Sequence, residues 1–248
     1  MLGSGFYDAG FVALNVTGLL VGTYVIRPGR SDVAPLDGLG HRPRVEALGR
    51  ASDFALGIGI GTGIGLALLT EIGHGSRGAD LLRGPTVVTE GMLAGTMLTQ
   101  LLKNLFGVCR PRDWNDASAR CEMLGETNER DDDRRDEAHR SFPSGHNAPL
   151  AGMAGAALGL YLLPAPHRAE YLPVALSSLG FALTVVVLRE RAGAHSWVDT
   201  VGAFISGGIA GFATAALHVQ TTKTEPTVAA PAAMSAASPM IVSFGAPF

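Results

Sequence analysis

Six apolar runs divide the chain, at 11–26, 54–70, 86–108, 147–163, 172–188 and 197–219, and the polar segments between them hold most of its charge. A soluble domain needs charge over its whole surface. Charge confined between long apolar stretches points instead to helices in a bilayer. Only 17% of the residues are charged, against about 25% in an average soluble domain. A spanning helix needs about 20 residues, a length the third and sixth runs meet easily. The first run is the weakest, being short and carrying Asn15, Thr17 and Thr23. The expected fold is all-α: a six-helix membrane-embedded bundle with a long polar loop between helices 3 and 4. Its competitor is a soluble bundle with unusually apolar helices, because several runs are only marginally long.

Glycine, at 33 residues, is concentrated inside the runs, which suits closely packed membrane helices. In the second run Gly57, Gly59, Gly61, Gly63 and Gly65 alternate with other residues. No triplet has the dinucleotide-binding spacing. Gly57, Gly61 and Gly65, four apart, share a helical face and are expected at a close helix contact. The first basic residue, Arg27, follows the first run rather than preceding it, so that run reads as a retained helix and not a cleaved signal.

The polar segments differ in character. Residues 129–140 mix acids and arginines, including Asp131, Asp132, Asp133, Arg134 and Arg135. A solvated loop explains them more simply than a metal site does. The only two cysteines, Cys109 and Cys121, flank one polar stretch. They suit a disulfide if it faces an oxidising compartment, and two unpaired thiols equally well. Residues 220–248, rich in Ala, Pro, Ser and Thr, are expected to be disordered. That leaves 1–219 as one helical membrane domain. A net charge of −3 gives no sign of a nucleic-acid partner.

Three short motifs carry chemistry. In the first, Lys103 sits near the end of the third run, with Arg110 and Pro111 following. Seven residues are about two helical turns, so both cations can share a face before Pro111 ends the helix. A lysine in an apolar run wants an anionic partner, or snorkels to the interface. In the second, Pro143, Ser144, Gly145 and His146 precede the fourth run. Ser144 suits an N-cap, Gly145 leaves room at the backbone, and the free N–H groups of a helix start attract anions. Taken alone, this is a capped helix with a stray histidine. In the third, Arg189 is followed by His195 and Asp199, the last two four apart and able to meet on one helical face. A carboxylate beside an imidazole fixes its tautomer, although a surface His–Asp pair would look the same.

Topology makes the three strong together. The first lies at the exit of run three, the second at the entry of run four, and the third between runs five and six. Alternating spans put all of them on one side. Phosphoryl transfer needs this inventory of charge stabilisation, a nucleophile and an acid for the leaving group. The motifs resemble those of the type 2 phosphatidic acid phosphatase and vanadium haloperoxidase superfamily, over Lys103 to Asp199, and the six runs agree with its membrane branch. The resemblance implies that Lys103, Arg110 and Arg189 bind phosphate with Ser144 and Gly145. It implies that His195 attacks phosphorus, Asp199 orients it and His146 protonates the leaving oxygen. No metal or other cofactor is implied. Members usually have serine before the third-motif arginine, where this chain has Leu188.

The expected activity is hydrolysis of a lipid phosphate or diphosphate through a phosphohistidine. Phosphatidate or a polyprenyl diphosphate is the expected substrate class, because apolar runs set the site at headgroup depth. A broad-specificity acid phosphatase on soluble esters is the alternative, and a non-catalytic membrane protein binding anionic headgroups is a reading of another class. A serine hydrolase built on Ser144, His195 and Asp199 lacks the nucleophile-elbow context. A metal hydrolase built on His146, His195 and Asp199 meets repulsion from the basic neighbours. A vanadate haloperoxidase usually implies a larger soluble protein. Most basic residues fall on the motif side, which by the positive-inside rule is cytoplasmic. Several of them are in the motifs, however, and membrane members of the superfamily face outward, so an extracytoplasmic site is expected. Oligomeric state is left open.

Overall fold

The computed structural model describes residues 2–26, 33–36, 38, 42–121, 138–164 and 168–224. Six helices follow the six runs: α1 (Leu2–Leu20), α2 (Glu46–Gly73), α3 (Arg83–Phe106), α4 (Ala148–Leu162), α5 (Tyr171–Arg191) and α6 (Trp197–Thr224). A wider turn, Val21–Val25, extends α1. A two-stranded antiparallel ribbon, β1 (Trp114–Asn115) and β2 (Arg120–Cys121), lies after α3. The acidic and basic residues of 129–137 lie outside the described residues, as does the tail beyond 224; residues 220–224 continue α6.

Helix α4 is the hub, packed against α3, α5 and α6. It is apolar on all sides, and most of its residues are buried, from Ala148 to Leu160. A helix of that pattern belongs inside the protein. Its contacts with α3 and α6 are made by backbone. A Cβ on Gly152 would run into the carbonyl oxygen of Gly91 on α3, and one on Gly211 of α6 would run into the carbonyl oxygen of Gly152. A Cβ on Gly95 would lie 3.0 Å from the Cα of Gly207. Small residues allow such approach where no hydrophobic effect drives helices together.

On α2 the packing glycines are not those expected. Gly57, Gly61 and Gly65 face open space. Gly59 and Gly63, on the other face, take the contacts, Gly59 beside Leu150 and Phe181, and Gly63 beside Met153 and Ser178. Spacing alone offered two such series, and position relative to α4 and α5 selects between them.

Among the described residues, three helices are long and apolar enough to cross a membrane: Glu46–Gly73, Tyr171–Arg191 and Trp197–Val219. The third run is corrected in one respect. Helix α3 has the length, 24 residues, but not the apolarity. Its polar side chains Glu90, Thr99, Lys103 and Asn104 are buried. Glu90 meets His218 of α6 at 2.5 Å, and Thr99 meets Ser206 at 3.1 Å. The polarity therefore faces the bundle and not the lipid. Large apolar side chains face outward instead: Leu176, Leu179, Leu183 and Val187 on α5, and Val201, Ile205 and Ile209 on α6. A soluble bundle would have the reverse arrangement. These outward apolar faces, with three helices long and apolar enough to span a bilayer, point to a membrane protein.

Candidate active site

Four helix ends meet at one end of the bundle: the C-termini of α3 and α5 and the N-termini of α4 and α6. Each brings one part of the three motifs. Lys103 lies in the last turn of α3 and is buried. The helix ends at Gly107 in a left-handed conformation (φ 58°), four residues before Pro111. Arg110 is thus on the following loop and not on the helical face of Lys103. It is nonetheless buried, held by its N–H donating to the Ala138 carbonyl at 2.9 Å. The Lys103 ammonium donates to the Arg140 carbonyl at 3.0 Å.

Ser144 is not the N-cap of α4; Asn147 holds that position, without a side-chain cap bond. Residues 145–147 form a turn ahead of the helix, and the Ser144 N–H donates to the Asp199 carbonyl at 2.9 Å. The Ser144 hydroxyl is buried without a hydrogen-bond partner. Gly145 matters for a different reason from the one expected. A Cβ there would sit 3.0 Å from the Lys103 Nζ, so the missing side chain admits the ammonium group.

His195 and Asp199 meet, but not on a helical face. His195 precedes α6. Asp199 is in its first turn and forms a capping box with Ser196. The Asp199 Oδ2 accepts the Ser196 N–H at 2.7 Å, while the Ser196 hydroxyl accepts the Asp199 N–H at 3.2 Å. The Ser141 hydroxyl donates to the same Oδ2 at 2.5 Å. His195 Nδ1 lies 3.6 Å from that oxygen, beyond hydrogen-bond length. His195 is fully buried, and neither ring nitrogen has a hydrogen-bond partner. Buried polar atoms are normally paired. The Ser144 hydroxyl and the His195 nitrogens are exceptions to that rule, and both lie among the motif residues.

Two residues of α2 join the site that the motifs did not include. The Asp53 carboxylate is 2.9 Å from His146 Nε2 and 3.7 Å from Arg189 Nη1. Arg189 also donates to the buried Ser52 hydroxyl at 3.5 Å. That hydroxyl stands beside the arginine that Leu188, where a serine is usual, cannot serve. The signal lay in topology: the entry of run two falls on the motif side, and Asp53 is the last charge before it. A cavity of about 260 Å³ adjoins the site at Asp53 and Arg189. Arg44, Arg50 and Arg112 also line it.

Electrostatics bind the parts together. Burial, then Arg189 and Lys103, push His146 down to about 4, with Arg110 adding to the effect and Asp53 opposing it. Burial, then Lys103, Arg110, Arg189 and His146, hold His195 well below its ordinary 6.5. Both imidazoles are neutral near pH 7, with Lys103, Arg110 and Arg189 around them. No curated protein and no solved structure matches the chain. A family model does, that of the PAP2 superfamily, over residues 85–223. That span takes in Lys103, Arg110, the turn at 143–146, Arg189, His195 and Asp199 within more than half of the chain, and on it the chain belongs to the PAP2 superfamily.

Proposed function

We propose that this phosphatase-family protein hydrolyses lipid phosphates or diphosphates through a phosphohistidine at His195. One observation carries the reading: a buried neutral imidazole, ringed by Lys103, Arg110 and Arg189, with a carboxylate against its Nδ1. The nucleophile needs a free lone pair, which its lowered pKa supplies. With Asp199 facing Nδ1, Nε2 is the attacking atom. The N–P bond forms as the P–O bond to the alcohol breaks, and His146 donates a proton to the departing oxygen. Water then attacks phosphorus, returning His195 and releasing phosphate. Lys103, Arg110 and Arg189 neutralise the equatorial oxygens, with Ser144 and Gly145 completing the cradle.

A general acid must hold a proton, and the unliganded His146 does not at neutral pH. Substrate binding resolves this, because phosphate charge offsets the cations that depress the imidazole, and Asp53 already favours its charged form. Removing that help should matter. Asp53→Asn lowers the His146 pKa, so the protonated form is lost at lower pH as pH rises. The alkaline limb of kcat should therefore move to more acidic pH, and an unchanged limb would exclude this coupling. His146→Ala should cost about 10²–10⁴-fold on alkyl phosphates. An activated aryl phosphate, whose leaving group hardly needs a proton, should be partly spared. Equal losses would assign His146 to shaping the site.

A serine hydrolase on the same residues is less well supported, since the Ser144 hydroxyl has no bond to His195. The grouping able to hold a metal among the described residues includes neither His146, His195 nor Asp199. The lipid substrate rests on the outward apolar faces of α5 and α6, which keep an acyl or prenyl chain in the bilayer while its phosphate enters. The test is kcat/KM for a long-chain lipid phosphate in mixed micelles against a water-soluble analogue. Preference for the lipid is expected; equal or better use of the analogue replaces it with a broad-specificity phosphatase. We place the site on the extracytoplasmic face, which the Cys109–Cys121 disulfide beside it supports.

A further inference from the structure

Just outside the phosphate site, two segments are stitched together. Cys109 and Cys121 are joined by a disulfide, and the Arg110 N–H donates to the Ala138 carbonyl, which lies 3.6 Å from the Cys121 sulfur. The Ser141 N–H donates to the Val108 carbonyl at 3.0 Å. His139 closes the group. Its ring nitrogen and the two sulfurs lie within 4.8 Å of one another, with Cys109 and His139 buried.

We infer that Cys109, Cys121 and His139 form a binding site for a soft divalent cation of the zinc class, filled when the disulfide is reduced. Two thiolates and an imidazole are the donors such ions prefer, with water as a fourth ligand. Zinc–sulfur bonds of about 2.3 Å and zinc–nitrogen bonds of about 2.0 Å put tetrahedral donors roughly 3.5–3.8 Å apart. The observed grouping reaches that once the sulfurs, no longer bonded, part to about 3.8 Å. Reduction requires a dithiol or phosphine. A dithiol gives two electrons and two protons to the S–S bond and becomes a disulfide itself. The cation then displaces both thiol protons to water. The site is separate from the phosphate chemistry and does not depend on it.

Its position gives it a consequence for the neighbouring residues. Cys109 precedes Arg110. His139 precedes Arg140, whose carbonyl holds Lys103, and Ser141, whose hydroxyl holds Asp199. Disulfide and metal each add a tether between these residues; the reduced, metal-free dithiol leaves only the backbone hydrogen bonds.

Full-length protein in detergent micelles, reduced with a phosphine and freed of it without air, is titrated with Co²⁺. One equivalent should bind with a thiolate-to-cobalt charge-transfer band that Zn²⁺ abolishes, and the unreduced protein should show no band. Cys109→Ser should remove the band. His139→Ala should weaken binding by about 10–100-fold or more, since even outer-shell partners of a metal carry that much. X-ray absorption at the zinc edge of the wild-type protein, which needs no variant to fold, should find two sulfur neighbours and at least one imidazole nitrogen. No thiolate band in the reduced protein, or a zinc shell without sulfur, overturns the site. Undiminished binding by a folded His139→Ala protein overturns the three-residue assignment.

Discussion

His195→Ala should abolish turnover, lowering kcat by roughly 10⁴-fold or more, or about 5.5 kcal/mol of transition-state stabilisation. Among the described residues, no other imidazole is buried and unpaired among three cations. The change removes a side chain whose nitrogens make no hydrogen bond in the fold, so the protein should still assemble. Wild-type enzyme quenched in mid-turnover should carry acid-labile phosphate, and the variant none. Turnover within a few-fold of wild type would sink the nucleophile assignment. Asp199→Asn is a harsher structural change than its spacing suggested. The carboxylate also accepts from Ser141 and the Ser196 N–H, so partial loss of activity should come with lower stability.

The second large effect concerns the fold. Gly211→Leu should prevent assembly, because its Cβ would meet the Gly152 carbonyl, and backbone cannot step aside as a side chain can. Overpacking alone costs about 1–3 kcal/mol, occasionally more. Forcing α6 off α4 adds the loss of the tightest packing in the bundle, against a total stability of about 5–15 kcal/mol. Gly61→Ala is the matched control. Nothing lies within 4 Å of its Cβ position, and its effect should stay within about 0.5 kcal/mol. Thermal unfolding in detergent separates the two. A Gly211→Leu protein as stable as wild type would mean that the α4–α6 contact opens without cost.

Helix positions were legible because apolar runs report them directly, and the convergence of the three motifs followed from alternation alone. Local geometry at the ends of those runs was not. Sequence spacing placed Arg110 on the face of Lys103, Ser144 at an N-cap and His195 on a helix. In each case a turn intervenes, set by Gly107, by the 145–147 turn, or by the Ser196–Asp199 capping box. The contacts of Asp53 and Ser52 with the motif residues span about 90 to 140 positions of sequence; such contacts are a property of packing that no local pattern encodes. Glycine spacing offered two series on α2, and only the neighbours of that helix decide which is buried.

The buried polarity of α3 bears on how the chain enters the bilayer. A charged side chain costs about 2.5–3.5 kcal/mol at the centre of an inserting helix by insertion scales, and less toward its ends. Helix α3 carries Glu90 and Lys103, whose partners lie on other parts of the chain: His218 on α6 and the Arg140 carbonyl ahead of α4. At the moment of synthesis neither partner exists. Helix α3 is therefore expected to settle in lipid less readily as an independent stage than α2, α5 and α6, which have the length and apolarity. Its insertion should be completed only once α4 and α6 have followed, so that the central layer of the bundle, made in the middle of the chain, becomes lipid-tolerant last.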